Sequence, residues 1–561
     1  MTKTQKRGTM LAVILGSGIV FLDTSVVNLA LPRIAKELPS RLLGFGELEA
    51  QAYVANGYFI TLSALLILGG ALNDYFGRKR MFAVGLAGFG ATSLLCGIAP
   101  TAELLILFRI LQGAAGALVV PGSLSIITAS FEGEEQGRAF GIWAGASAAT
   151  SIIGPFVGGL LVNTISWRAA FLINVPLLLL AYYATVRHVP ESRDENASGH
   201  FDWLGSAVIA VAVAGLAFGT IRGQQQNWKE PVAFVSLGIG AAAAIAFPIL
   251  MKRSAHPLVP LHLFKSRNFT VTNISTFVIY GALYVTITFQ GIFLIATLGY
   301  NEPAAGFAGV PGTLLLALFS TRFGRLAARY GPRLFMALGP AIMGLGLLYL
   351  ARIPSDSEPW VLGTGASGRI LPPGDYFVDL FPGLVVFGIG LMIMVAPLTT
   401  CLMTSVPREN AGVASAVNNA ISRVGSPLVV AVIFVAVVSS FYGAIGDRVP
   451  DAEVDSPRFR QQVAPLNPPD EGVPPAVVQA AREASTDAFH LAVMVGAGLL
   501  FAGAAINAVG IRNPTRGAKA AAEPVAAGEP ETSPAQEVHV QAPAPTCVIC
   551  EEPLGADHAE H

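Results

Sequence analysis

The chain has 561 residues, of which 53% are apolar and 13% charged, with a mean hydropathy of +0.60 and a formal net charge of −1. A soluble domain carries about 25% charged residues, so this composition excludes a single soluble globular body. The near-zero net charge offers no basic surface for nucleic acid, and the four Cys show no disulfide framework.

The apolar residues fall in long runs separated by short polar breaks. A helix needs about 20 such residues to cross a bilayer. Fourteen segments qualify: 9–31, 51–72, 81–99, 103–128, 137–162, 168–187, 203–221, 231–251, 269–296, 304–323, 333–352, 380–403, 411–440 and 486–509. The high Gly and Pro content, 60 and 37 residues, suits membrane helices, whose neighbours re-satisfy broken backbone bonds. The first run lacks a small-residue cleavage site and is read as a retained spanning helix. An even number of spans places both termini on one side. With the N-terminus in the cytoplasm, inward segments hold 21 of the 35 Lys and Arg, against 12 outward. That excess predicts cytoplasmic termini in a cell membrane.

Chemistry-bearing residues follow in chain order. Asp23 is the one carboxylate well inside a span, about 12 Å from the outer end of the first segment at 1.5 Å per residue. Arg109 lies at a similar depth in the fourth segment. Charges inside spans are costly and default to function. A buried carboxylate beside an arginine has a proton affinity set by the balance of desolvation and charge, so the two predict proton coupling. The alternative is a fixed pair that locks two helices.

After the second segment comes Gly70-Ala-Leu-Asn-Asp74-Tyr-Phe-Gly77-Arg78-Lys79-Arg80, which reads as a gating loop. The glycines permit close approach and turning, and the charge cluster can bond in one conformer and break in another. The alternative is a basic loop that only sets topology. The fifth segment holds Gly154, Pro155, Gly158 and Gly159, a small-residue face with an internal proline. It predicts a bent, closely packed helix that seals one side of a cavity; ordinary close packing is the plainer reading. Gly324 to Arg333, after the tenth segment, repeats the glycine spacing of 70–80, with Ala328 where the first copy has Asp74. This internal repeat predicts two six-helix halves with an inserted pair. The boundaries are 1–190, 191–260 and 261–510, the last containing a long outward loop at 441–485. The tail, 511–561, is Ala-, Pro- and Glu-rich and is expected to be disordered. Its Cys547, Cys550, His558 and His561 are ligand types for zinc, with a solvated tail as the alternative.

These motifs resemble the major facilitator superfamily, in particular its fourteen-helix drug:proton antiporter branch (EmrB/QacA-like transporters). The resemblance spans roughly residues 9–510 and rests on four signatures in order: Leu22 to Pro32 with Asp23 and Asn28, the 70–80 loop, Arg109-Ile-Leu-Gln112-Gly113, and Gly154 to Gly159. Trp167-Arg168 and Phe171 to Pro176, including Asn174, also fit. The chain departs from the pattern at Ser25, Ala115, Thr150, Ile295 and Ser422-Arg423.

The resemblance implies an all-α polytopic major facilitator fold of fourteen helices, arranged six, two and six. It implies alternating access driven by proton influx. Asp23 and Arg109 would act in coupling, Gly70, Asp74, Gly77, Arg78 and Arg80 in gating, and Gly154, Pro155, Gly158 and Gly159 in occlusion. The expected function is proton-coupled export of small amphipathic compounds, with the proton gradient as energy source and no other cofactor. A dedicated carrier for one metabolite, lipid or siderophore is the second reading, and a non-transporting membrane sensor the third. Asn28, Asn418, Asn419 and Arg423 are the candidate cavity residues. Arg423 favours an anionic or zwitterionic ligand, or else is an interhelical or snorkelling arginine. The expected partners are the substrate, protons and the bilayer, and the expected state is a monomer. No nucleotide loop or metalloprotease motif is present, so no enzyme is expected.

Overall fold

In hydrocarbon every backbone amide and carbonyl needs an internal partner, which leaves helices as the form for these apolar runs. The computed structural model describes residues 1–39, 47–193, 201–225, 229–363, 369–450, 452–470 and 472–513. The described chain is almost wholly helical, with one isolated β-bridge between Leu362 and Arg369. The Cys/His tail lies outside the described residues.

Among the described residues fourteen helices of 15 or more residues overlap the fourteen expected segments. They are α1 (Lys3–Glu37), α2 (Glu47–Phe76), α3 (Arg78–Gly97), α4 (Ala102–Ser130), α5 (Gly133–Thr164), α6 (Asn174–His188) and α7 (Trp203–Gln225). They continue as α8 (Pro231–Arg253), α9 (Arg267–Ile292), α10 (Val310–Tyr330), α11 (Arg333–Leu350), α12 (Phe381–Thr404), α13 (Ala411–Arg448) and α14 (Pro475–Gly510). Among the described residues, thirteen helical spans are long and apolar enough to cross a membrane. The remaining long helix, α5, has 32 residues. Starts are fixed by side chains: Thr2 and Gln5 form a reciprocal capping box on α1, and Thr101 and Ser266 cap α4 and α9. Large apolar side chains such as Leu94, Leu107, Leu160, Leu179, Ile239 and Leu318 stay exposed, as a hydrocarbon solvent demands.

The described ends of the chain meet at one end of the bundle. Lys6 pairs with Glu135 at the start of α5, and Thr9 donates to the His188 carbonyl at the end of α6. Arg267 donates to the carbonyls of Gly510 and Val509 at the end of α14. At the opposite end α13 and α14 run further than the sequence suggests. With 38 residues, α13 measures about 57 Å against a hydrocarbon core of about 30 Å. Its last turn is held by Arg448, which pairs with Asp487 at 2.6 Å and Glu483 at 3.2 Å on α14. The expected loop at 441–485 is therefore partly helical.

The N-terminal helices α1–α6 meet the C-terminal helices α9–α14 along two seams, α2 against α13 and α5 against α10. Glycine makes both possible. A Cβ on Gly70 would sit 2.4 Å from the Gly412 carbonyl oxygen, and one on Gly324 would sit 2.3 Å from the Gly137 carbonyl oxygen. The pair α7–α8 forms a hairpin, with Gly215 against Gly240, and packs on α2 and α13. Phe201 anchors its entry against Tyr75, ring centroids 5.4 Å apart.

Packing within a half is just as close. A Cβ on Gly69 would lie 2.1 Å from the Ala117 carbonyl oxygen of α4, whereas Gly238 on α8 has nothing within 4 Å. Overpacking of this kind costs about 1–3 kcal/mol. Gly69→Leu is expected to lower the thermal unfolding midpoint in detergent, and Gly238→Leu to leave it unchanged.

Candidate functional site

Two clusters of buried charge stand out. The four buried charged residues among those described are Asp23, Asp74, Arg78 and Arg109, and they pair off.

The first pair joins α1 to α4. Asp23 is 0% exposed and Arg109 1%. Arg109 Nη1 donates to Asp23 Oδ2 at 2.6 Å and to Gln112 Oε1 at 2.7 Å. Asp23 Oδ1 accepts from Asn174 Nδ2 at 2.9 Å and from Gln112 Nε2 at 3.2 Å. Both amides also donate to the Ser93 hydroxyl, at 2.7 Å from Gln112 and 3.3 Å from Asn174. The Arg109 guanidinium lies over the Tyr58 ring, 4.1 Å from its centroid, and 5.8 Å from that of Phe171. Four helices, α1, α3, α4 and α6, thus converge on one carboxylate. Its negative charge is matched by the guanidinium and solvated by two amides, so neither ion is left uncompensated in a dry interior. The Asn174 Oδ1 atom has no hydrogen-bond partner.

The second pair sits where α2 ends. Arg78 Nε and Nη2 donate to Asp74 Oδ1 at 3.1 and 3.0 Å. Asp74 Oδ2 accepts from the Val413 amide at 2.9 Å, in the first turn of α13, where the helix dipole favours an anion. Arg78 Nη2 also donates to the carbonyls of Arg408 and Glu409, just before α13. One ion pair across the α2–α3 turn therefore clamps the N-terminal helices to the C-terminal ones. Gly77 takes φ +107°, which a side chain rarely tolerates, and turns the chain from α2 into α3. Glu191, following α6, accepts from the Lys79 and Arg80 amides and so caps α3. The Arg80 side chain is exposed and does not join the clamp.

The repeat has the same form with different chemistry. Gly331 takes φ +92°, and Asn513 after α14 accepts from the Arg333 amide, as Glu191 does after α6. Ala328, where the first copy has Asp74, faces Gly137 without a carboxylate. The seam is edged by exposed ion pairs from the α5 start: Glu132 with Arg408 at 2.8 Å and Glu134 with Arg325 at 3.6 Å.

The fifth-segment motif packs closely, as expected, and does so within its own half. Gly154 and Gly158 meet Ser25 and Val26 of α1, within the same half. The helix continues through Pro155 and Gly159 to Thr164. Contact across the halves falls instead to Gly137, Gly141 and Gly145, nearer the start of α5. Gly141 and Gly145 lie against backbone of Ser320, Thr321 and Ala317 on α10, and the Ser320 hydroxyl donates to the Gly141 carbonyl at 2.7 Å. Their four-residue spacing was a readable signal, because it marks one face of a helix.

The expected cavity residues divide. Asn418 is buried and donates to Asn273 Oδ1 at 3.1 Å and Thr276 Oγ1 at 2.8 Å on α9, so it ties two C-terminal helices. Asn419 is half-buried and bonds the Ser415 carbonyl at 2.9 Å. Asn28 is exposed, and so is Ile295, in the π-helical turn after α9. Arg423 is half-buried. No group of three or more His, Cys, Asp or Glu suited to a metal occurs among the described residues. Ser93, Asn174 and Tyr58 were not expected as partners of the first pair. Polar side chains within apolar runs were their only signal.

Residues 13–430 match the Major Facilitator Superfamily. The multidrug resistance protein Stp of Mycobacterium tuberculosis is 32% identical over 434 residues, covering 77% of this chain and 76% of that one. The tetracenomycin C resistance and export protein of Streptomyces glaucescens is 31% identical over 508 residues, covering 88% of each. Among solved structures, the human organic anion transporter MFSD10 superposes with a TM-score of 0.57 over 90% of this chain and all of that one. At 13% identity this shows a shared fold and no more. The chain belongs to the Major Facilitator Superfamily, on the branch that holds these drug-resistance exporters.

Proposed function

We propose that this multi-pass membrane transporter, which is not an enzyme, exports small amphipathic compounds in exchange for protons by alternating access. The observation that carries the coupling is the Asp23–Arg109 pair with its amide shell. A proton on Asp23 cancels the charge facing Arg109 and replaces an acceptor lone pair with an O–H donor. Arg109 stays protonated and would then keep the Gln112 Oε1 acceptor, the Val54 carbonyl, 3.4 Å from its Nε, and the π faces of Tyr58 and Phe171, with no counter-ion. The Asn174 amide can answer by turning its unpartnered Oδ1 toward the new O–H, since an amide presents both donor and acceptor. Protonation therefore favours a different packing of α1 against α4 and α6, and whatever opens that packing changes proton affinity in return.

The gate in this reading is the Asp74–Arg78 clamp on α13. The glycine approaches, the clamp and the glutamate-edged seam close the bundle at the end where Lys6 and Arg512 lie. The excess of Lys and Arg supports a cytoplasmic position for that end. The structure would then be the outward-open side of the cycle, with protons entering from outside and substrate leaving to outside.

Two outcomes test this. In proteoliposomes with an imposed pH gradient, Asp23→Asn keeps a similar shape but cannot exchange a proton. Gradient-driven flux of a fluorescent amphipathic dye is expected to fall at least tenfold, while dye exchange without a gradient persists. Equal gradient-driven flux in variant and wild type sinks the coupling role. Arg78→Ala leaves Asp74 buried without its cation, and breaking such a pair costs about 3–5 kcal/mol. A cysteine placed at the buried Ala416, with Cys547 and Cys550 changed to Ser, is expected to react with a maleimide at least tenfold faster in that background. An unchanged rate removes the clamp from the gate.

A further inference from the structure

Deep in the helices one charge has no counter-charge. Arg423 is the thirteenth residue of α13, about 18 Å from its first residue at 1.5 Å per residue. Half of the hydrocarbon core is about 15 Å, so this position is close to the bilayer midplane. From there the interface is further than an arginine side chain extends, which argues against snorkelling. Among the described residues Arg423 makes no hydrogen bond and no ion pair, although a lone guanidinium at this depth is costly.

Its direction follows from register. Gly412 and Ala416 on α13 pack on Gly70 of α2. Arg423 continues that stripe, seven residues after Ala416 and eleven after Gly412, because positions seven and eleven apart share a helix face. The helices are antiparallel, so eleven residues back along α2 from Gly70 is Phe59, next to Tyr58. By this register Arg423 lies level with Tyr58, the ring that covers Arg109. The guanidinium therefore lies on the seam between the halves, one aromatic layer from the coupling pair. The face of α13 toward α7 and α8 is different. There Val417, Ala420, Ile421 and Leu428 line a separate, wholly apolar cavity of about 400 Å³.

Resting on the exporter reading above, we infer that Arg423 receives the anionic group of the substrate, so that the transported class is amphipathic carboxylates, sulfonates or phosphates, zwitterions included. The buried carboxylates are not free to take a cation. Asp23 is enclosed by three donors, and Asp74 is held by Arg78 and the Val413 amide. A guanidinium offers a planar fork that matches a carboxylate or phosphate through paired hydrogen bonds. The half-buried Phe59 supplies an apolar wall for the rest of the molecule.

The test uses rhodamine B and its ethyl ester, one chromophore with and without a carboxylate. Flux of each is measured in proteoliposomes of the full chain under the same pH gradient. The wild type is expected to move the acid at least tenfold faster than the ester. Arg423→Gln is expected to lower that acid-to-ester ratio at least tenfold, and Arg423→Lys to retain most of it. Because the ratio is taken within each preparation, a change in the amount of folded protein does not mimic the result. Preference for the ester in the wild type, or an unchanged ratio in Arg423→Gln, overturns the charge assignment and leaves export standing. No flux of either dye in the wild type counts against the exporter reading and against this one together.

Discussion

A charge buried between membrane helices is costly unless it is matched, and most of this molecule's polar architecture follows from that constraint. Asp23 and Arg109 are each tolerable only because the other is 2.6 Å away and because Gln112, Asn174 and Ser93 complete the shell. That requirement fixes four helices around one point, since the shell draws on α1, α3, α4 and α6. The same constraint makes the site responsive. Adding one proton changes the charge balance of a cluster whose two ions are buried and face each other directly.

Glycine supplies the complementary constraint. Two bundles can close on each other only where backbone meets backbone, and Gly70 with Gly412 and Gly324 with Gly137 are those places. The repeated glycine spacing in 70–80 and 324–333 thus has two separate physical duties in each copy. The first glycine allows the approach across the seam. The second, Gly77 or Gly331, turns the chain with positive φ into a helix capped from a distant segment, by Glu191 in one case and Asn513 in the other.

Much of this was legible in the sequence. Helix positions follow from long apolar runs, and the Asp23–Arg109 pairing follows from equal depth on two spans. What escaped has definite causes. Gly154 and Gly158 announce close packing but not the partner, and the partner is α1 rather than the opposite half. Asn418 reads as a cavity residue because it is polar in an apolar span, yet it is spent on Asn273 and Thr276. The ends of α13 and α14 are misjudged because Arg448, Glu483 and Asp487 end the apolar run while pairing with one another and prolonging the helices. In each case the residue states its need and tertiary structure chooses who meets it.

The loss of the acid at Ala328 makes the closed face mechanically uneven. One seam, α2 on α13, carries a buried ion pair and a helix-terminus bond, while the other, α5 on α10, is joined by glycine contacts, one serine hydrogen bond and exposed charges. Breaking the first needs an all-or-none loss of charge pairing. The second can slide by small steps, as close-packed backbones do. In the cycle proposed above such a joint would open like a door, with a clasp along α2 and a hinge along α5, so the lifetime of the closed state would be set on one edge and the path of the motion on the other.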